Sequence, residues 1–262
     1  LEKLNLNDFL PFVLKDPELK GALTGTATIR DPFGKLSIDF MGNADSLTMN
    51  DKYVGNVIIK GSANTFTGMI KYEAESKDTT NSFSLKGTYN INDSSDRQLD
   101  ANLNAEHLNL SILEPYLGAV FSQMEGDVAT NLKLSGNSAH QYITGKVDIR
   151  DAIVKVGYTQ CRYWISDQSL TLQNDLIDLG LIRLKDSMAR TATISGKIRH
   201  RFFDQLAFEN IKLETGKLAL LNTTKYDNNQ FYGNITGRAK LSINGPLSNL
   251  VMNIDGEPSI LD

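Results

Sequence analysis

The sequence predicts an all-β protein, an antiparallel-rich array of about 15–18 short strands with one or two short amphipathic helices. Three observations carry that prediction. Apolar and polar residues alternate with period two along most of the chain, which gives each segment one apolar and one polar face. Turn-forming residues fall between the segments at short, fairly regular spacing. The continuous apolar runs of a parallel sheet covered by helices are missing.

Taken in order, Leu36, Ile38 and Phe40 alternate with Ser37 and Asp39, and Ala101, Leu103 and Ala105 with Asn102 and Asn104. Leu132 and Leu134 flank Lys133, Val147 and Ile149 flank Asp148, and Leu170 and Leu172 flank Thr171. Ile211 and Leu213 flank Lys212, Leu241 and Ile243 flank Ser242, and Met252 and Ile254 flank Asn253. Between them lie turn signals: Asp31-Pro32-Phe33-Gly34, Asn92 to Asp96, Gly136-Asn137-Ser138, Asp227-Asn228-Asn229 and Asn244-Gly245-Pro246.

Ser111 to Ser122 breaks the alternation. Leu113, Tyr116, Leu117, Val120 and Phe121 recur at helical spacing, Ser111 and Glu114 have capping-box spacing, and Pro115 sits in the first turn. A helix is expected there, its apolar face covering the sheet, and a second at Leu6 to Leu14. A weak repeat joins Gly21-Ala-Leu-Thr-Gly25, Gly233-Asn-Ile-Thr-Gly237 and Tyr142-Ile-Thr-Gly145. Glycine within a strand pattern marks a bulge, a bend or a close backbone approach, so these positions would let a broad sheet curl.

Composition narrows the function. There are 27 Lys and Arg against 31 Asp and Glu, net charge -4, which excludes a strongly basic nucleic-acid binder. A lone cysteine, Cys161, forms no internal disulfide. No segment has the length of a membrane-spanning apolar helix. The chain starts at Leu1 without a signal segment, and is expected to be a piece of something longer.

Catalytic chemistry is poorly represented. There is no nucleophile elbow, and Gly145-Lys146 and Gly196-Lys197 lack the upstream glycine of a phosphate-binding loop. His107, His140 and His200 have no partners at metal-ligand spacing and read as surface or turn histidines, and Cys161 as a passive apolar residue. The loops at 92–96 and 227–229 lack the ordered ligand series of an EF-hand. Tyr163-Trp164 is the one candidate sugar platform, set against plain edge packing. No enzyme activity, metal or cofactor is expected.

Several segments in order resemble the C-terminal region of the TamB family, within the AsmA-like superfamily. They are Leu110-Ser-Ile-Leu-Glu-Pro-Tyr-Leu117 leading to Gly126 and Leu132-Lys-Leu-Ser-Gly136, then Tyr142 to Ile149 followed by Ala152 to Val156. Ala192 to Ile198, His200, Leu220 to Thr224, and Phe231-Tyr-Gly233 running through Gly237 to Leu241–Leu250 complete the set. The resemblance covers about 105–258 and is a matter of strand style over 1–104. It implies one continuous curled sheet, the β-taco, with an apolar trough. The chain then divides into an N-terminal β segment (1–105), a helical insertion (106–123) and a TamB-like C-terminal β segment (124–262). It also implies a periplasmic segment of an inner-membrane-anchored Gram-negative envelope protein, the anchor lying outside this chain. The implied partners are phospholipid or other acyl chains, an outer-membrane barrel protein of the TamA type, and nascent outer-membrane β-strands. The family brings no catalytic motif.

The trough is energetically sensible. Burial of one methylene is worth about 0.8 kcal/mol, so two chains of ~15 carbons need cover worth on the order of 24 kcal/mol when crossing water. The expected wall is Leu132, Leu134, Val147, Ile149, Val154, Val156, Leu170, Leu172, Ile194, Ile198, Ile211, Leu213, Leu218, Leu220, Leu241, Ile243, Met252 and Ile254. Lys133, Lys146, Asp148, Lys155, Lys212 and Arg238 would keep the other face wet. Two alternatives stand beside it: a protein-interaction module that pairs an incoming β-strand at a free edge, and a closed β-sandwich adhesin or carbohydrate-binding domain, whose faces zip together at ~10 Å. A β-rich hydrolase comes last.

Overall fold

A computed structural model of the chain describes residues 4–5, 18–201, 203–229 and 232–261. The helix expected at Leu6 to Leu14 lies outside the described residues. Strands account for nearly everything else: β1 (Leu4–Asn5), β2 (Leu19–Arg30), β3 (Ser37–Met49), β4 (Lys52–Asn64), β5 (Met69–Lys77), β6 (Ser82–Asn90), β7 (Leu99–Asn109), β8 (Phe121–Gly136), β9 (Gln141–Val156), β10 (Arg162–Gln173), β11 (Leu176–Lys185), β12 (Thr191–Arg201), β13 (Asp204–Thr223), β14 (Gly233–Pro246) and β15 (Val251–Leu261). The all-β, antiparallel fold expected from the alternation is the fold observed, with strand order following chain order. The strands are longer than typical because alternating segments that read as separate in the sequence are joined. Tyr142 to Ile149 and Ala152 to Val156 both belong to β9, and Ile211 to Leu213 and Leu218 to Leu220 both to β13. Bulges let the backbone continue where the alternation slips.

The chain forms two compact units, residues 1–112 with 129–145, and residues 113–128 with 146–262. In the first unit, strand partners stack side chains of one kind in rows. Leu23, Ala44, Val57, Ser76, Phe83 and Ala105 are successive cross-strand partners, as are Ala27, Phe40, Gly61, Tyr72, Gly87 and Ala101. One residue along, the partners are Thr26, Met41, Lys60, Glu73, Lys86 and Asn102, on the opposite face. That face is charge-complementary, with Lys86 3.7 Å from Glu73. Gly25 lies directly opposite Gly42, and a Cβ on Gly25 would stand 2.7 Å from the Gly42 Cα. The close approach inferred from the repeat is therefore real at this position.

In the second unit the same logic gives an apolar row, Ile182, Ile194, Leu213, Leu241 and Ile254, and one residue along a polar row, Arg183, Thr193, Glu214, Lys240 and Asp255. Leu184, Ala192, Ile211, Leu218 and Ala239 are buried beside the apolar row. The register shifts next to Gly237, where a Cβ would stand 2.9 Å from the Pro258 Cα. β13 outruns β12, which begins only at Thr191. The end of β13 instead meets the turn before β10 and β10 itself: the Asn222 amide donates to the Thr159 carbonyl at 2.9 Å, and the Tyr163 hydroxyl to the Ala219 carbonyl at 2.8 Å.

The helix is shorter than the 111–122 expected. A 3₁₀ turn at Leu110–Leu113 leads into α1 (Glu114–Leu117), and Phe121 already opens β8. Ser111 and Glu114 form no capping box; the helix has no side-chain cap, and the Glu114 carboxylate accepts the Met124 amide at 2.7 Å. Val120, counted as helical by spacing, lies in a turn, its amide donating to the Leu117 carbonyl at 2.9 Å, and Phe121 has strong strand preference, which prevails. Tyr116 packs against Phe203, ring centroids 6.4 Å apart. No helix among the described residues is long and apolar enough to cross a membrane.

Candidate functional site

The expected wall divides between the two units. Leu132 and Leu134 fall in the first, and the others in the second. Cross-strand pairing brings Ile194, Leu213, Leu241 and Ile254 into one row, and Ile211, Ile243 and Met252 into the next. Leu172 and Ile198 are both partners of Ile177.

Burial separates these positions. Ile149, Val154, Leu172, Ile211 and Leu218 are buried. Leu132, Leu134, Val147, Val156, Leu170, Ile194, Ile198, Leu213, Leu220, Leu241 and Ile243 are half-buried. Met252 is 46% and Ile254 70% exposed. Most of the expected wall positions thus retain contact with solvent, while their neighbours Ile177, Leu179, Ile182 and Leu184 are buried. On the opposite face, Lys133 lies 3.4 Å from Asp100, Lys146 2.6 Å from Asp148 and Arg238 2.7 Å from Glu257, all well exposed.

Sequence reasoning missed β11. Ile182 and Leu184 are buried and Ile182 is the direct partner of Ile194, yet neither was counted in the wall. Gly180, at φ 57°, accompanies a register shift between Asp178 and Leu181 that reverses the phase of alternation and leaves Leu181 60% exposed. The available signal was the isolated glycine inside Leu176–Lys185.

The polar residues are structural where they are buried. Asp186 is buried, and its carboxylate accepts the amides of Met188, Arg190 and Ala219 at 2.9–3.0 Å and the Arg190 Nε at 2.7 Å. Burial alone would raise this carboxyl, but the amides and the guanidinium together hold it below the ordinary carboxylate range. Burial pushes the Tyr163 phenol well up and raises the Cys161 thiol. Tyr163 is buried and Trp164 half-buried, so the pair is no exposed sugar platform.

His107 is exposed and His140 stacks on Tyr142 at 4.4 Å between centroids. His200 is not a surface histidine as expected: it is buried and stacked on Phe203 at 5.2 Å. Its Nδ1 accepts the Phe203 amide, which leaves the buried Nε2 to carry the proton with no hydrogen-bond partner among the described residues. Burial lowers its pKa. Both acidic loops satisfy themselves, Asp93 with the Ser95 amide and Asp227 with the amide and hydroxyl of Thr224. Among the described residues no group of three or more His, Cys, Asp or Glu could hold a metal ion.

Comparison with known proteins adds one finding. Residues 73–149 match the family model described as TamB, N-terminal domain. That span contains the 110–117, 132–136 and 142–149 segments on which the resemblance rested, although the model describes the family's N-terminal domain and not the C-terminal region expected. No curated protein and no solved structure matches the chain. What the match establishes is a likeness of residues 73–149 to the TamB N-terminal domain.

Proposed function

We propose that the protein holds lipid acyl chains on its apolar sheet face, as a periplasmic segment that carries phospholipid towards the outer membrane or assists assembly of outer-membrane proteins. The observation that carries this reading is the half-exposed apolar row Ile194, Leu213 and Leu241, continued by the exposed Ile254. A sealed core would exclude hydrocarbon; a face that keeps its side chains accessible can exchange water for methylenes, each worth about 0.8 kcal/mol. The backbone ladder beneath stays intact, so no hydrogen bond is lost when an alkyl chain lies on it. No charged side chain belongs to that row, as charge burial there would be costly. Working with an outer-membrane partner of the TamA type follows the same family reading.

A photo-crosslinking residue at Leu241 or Ile243 tests it. Recovery of lipid from these positions, and none from Lys240 on the other face, is the expected outcome. Lipid at Lys240 alone refutes the assignment.

One observation favours a second reading. β15 is the last strand of the order, its residues Val251 to Ser259 are all exposed, and its outer edge meets no strand among the described residues. Such an edge can pair an incoming β-strand. A proline at Asn253 would block that pairing and leave acyl-chain binding unchanged.

A further inference from the structure

Antiparallel strands in chain order place three turns of the second unit at one end: 157–161 between β9 and β10, 186–190 between β11 and β12, and 224–229 after β13. Together they wall a cavity of about 470 Å³. Each turn sends a polar residue into it, Gln160, Arg190 and Asp227 respectively. Each also holds one large side chain out in water: Tyr158 at 61%, Met188 at 72% and Tyr226 at 103% of full exposure. The turns at the other end of the unit, at 174–175, after β12 at Phe203, and at 247–250, carry no exposed large apolar side chain among their described residues.

The cavity is rich in donors. Lys155, Arg162 and Arg190 line it with Asp227, whose carboxylate is already taken up by Thr224; Arg162 also donates to the Gln123 side chain at 2.9 Å, and the charge of Arg190 is matched by Asp186. Arg190 is fixed in place by buried Asp186 at 2.7 Å and by the Thr236 hydroxyl at 3.3 Å. A held guanidinium, Arg190, with Arg162 and Lys155 beside it suits a phosphate ester. A free anion would make no use of the three outer side chains. A protein partner would need them merged into one desolvated patch, whereas they sit on separate turns around the cavity. Tyrosine and methionine tips around a cationic pit fit the layered chemistry of a bilayer surface, where amphipathic rings sit at headgroup depth.

We propose that this end of the second unit docks on a phospholipid surface, with Tyr158, Met188 and Tyr226 entering the headgroup layer and the Lys155–Arg162–Arg190 cavity taking one lipid phosphate. The inference deepens the acyl-chain reading and rests on it for lipid as cargo, but docking and carriage separate experimentally.

The test is flotation of the whole chain with vesicles of phosphatidylcholine and phosphatidylglycerol. The wild-type protein floats. Lys155→Gln with Arg162→Gln floats about tenfold or more less well, as expected for two cations at a lipid surface. Tyr158→Ser, Met188→Ser and Tyr226→Ser together do the same, while Phe33→Ser in the first unit changes nothing. Tyr226→Ser alone, at a fully exposed position that cannot unfold the chain, gives a partial loss. Glycerol 3-phosphate and inorganic phosphate at millimolar concentration fail to displace the protein. Failure of the wild type to float, full flotation of the tip variants, or displacement by free phosphate overturns docking. Leu213→Asp distinguishes the two readings: it floats normally but loses acyl-chain crosslinking. Crosslinking lost without flotation lost in the wild type would sink carriage and leave docking intact.

Discussion

The hydroxyl of Tyr163 on β10 reaches the carbonyl of Ala219 on β13 at 2.8 Å, across two intervening strands of the order. Neighbours in a flat sheet lie about 4.8 Å apart, so strands three places apart would stand roughly 14 Å from each other. The bond therefore requires the end of the second unit to fold over. Tyr163→Phe should remove about 1 kcal/mol of stability, read from the midpoint of urea unfolding. A larger effect is expected if the Ala219 carbonyl is left without water.

Asp186 gathers three amides and one guanidinium at the same end. Asp186→Ala leaves those donors short of an acceptor and should cost about 2–4 kcal/mol. Because its pKa is lowered in the folded state, its contribution is fully present above the unfolded carboxylate value and is lost as pH falls through the folded one. Acid titration of stability in wild type and Asp186→Asn should diverge above that window and converge below it.

Buried and accessible positions of the apolar face should respond oppositely to truncation. Leu218 is fully buried, so Leu218→Ala is expected to cost about 2–5 kcal/mol. Ile254, at 70% exposure, should lose no more than about 0.5 kcal/mol on the same change. Equal losses in thermal or chemical unfolding would mean that Ile254 is covered in solution.

His200 gives a pH signature of a different kind. Burial favours its neutral form, with Asp175 acting weakly in the opposite sense. Its contribution to stability is complete above the ordinary histidine value of about 6.5 and falls away as pH drops through the lowered folded value. Replacing it by Phe, which keeps the stacking on Phe203, should flatten the slope of stability against pH in that window. An unchanged slope would show that the ring takes up protons freely.

Much of the fold was legible because period-two alternation and sheet pairing are the same constraint seen twice. Leu213, Leu241 and Ile254 were placed on one face by sequence, and register then made them direct partners. Alternation failed where a bulge reversed its phase, as at Gly180, since one extra residue turns every later side chain to the other face. Helical spacing failed at Val120, which lies in a turn, and at Phe121, where strand preference prevailed. The cavity was invisible beforehand: Lys155, Arg162 and Arg190 come from three separate stretches, and only the overhang of β13 brings their turns together.

Pairing each strand only with its sequence neighbours makes reach a modular quantity. Within the first unit, adding or deleting one hairpin would change the width of the sheet by about 10 Å and leave the other strand pairs as they are; between β10 and β13 it would break the bond from Tyr163 to Ala219. Evolution can thus tune the distance such a protein covers by duplicating a stretch of some thirty residues, and a nick or unfolding event at one edge should peel strands in sequence, leaving those further in untouched.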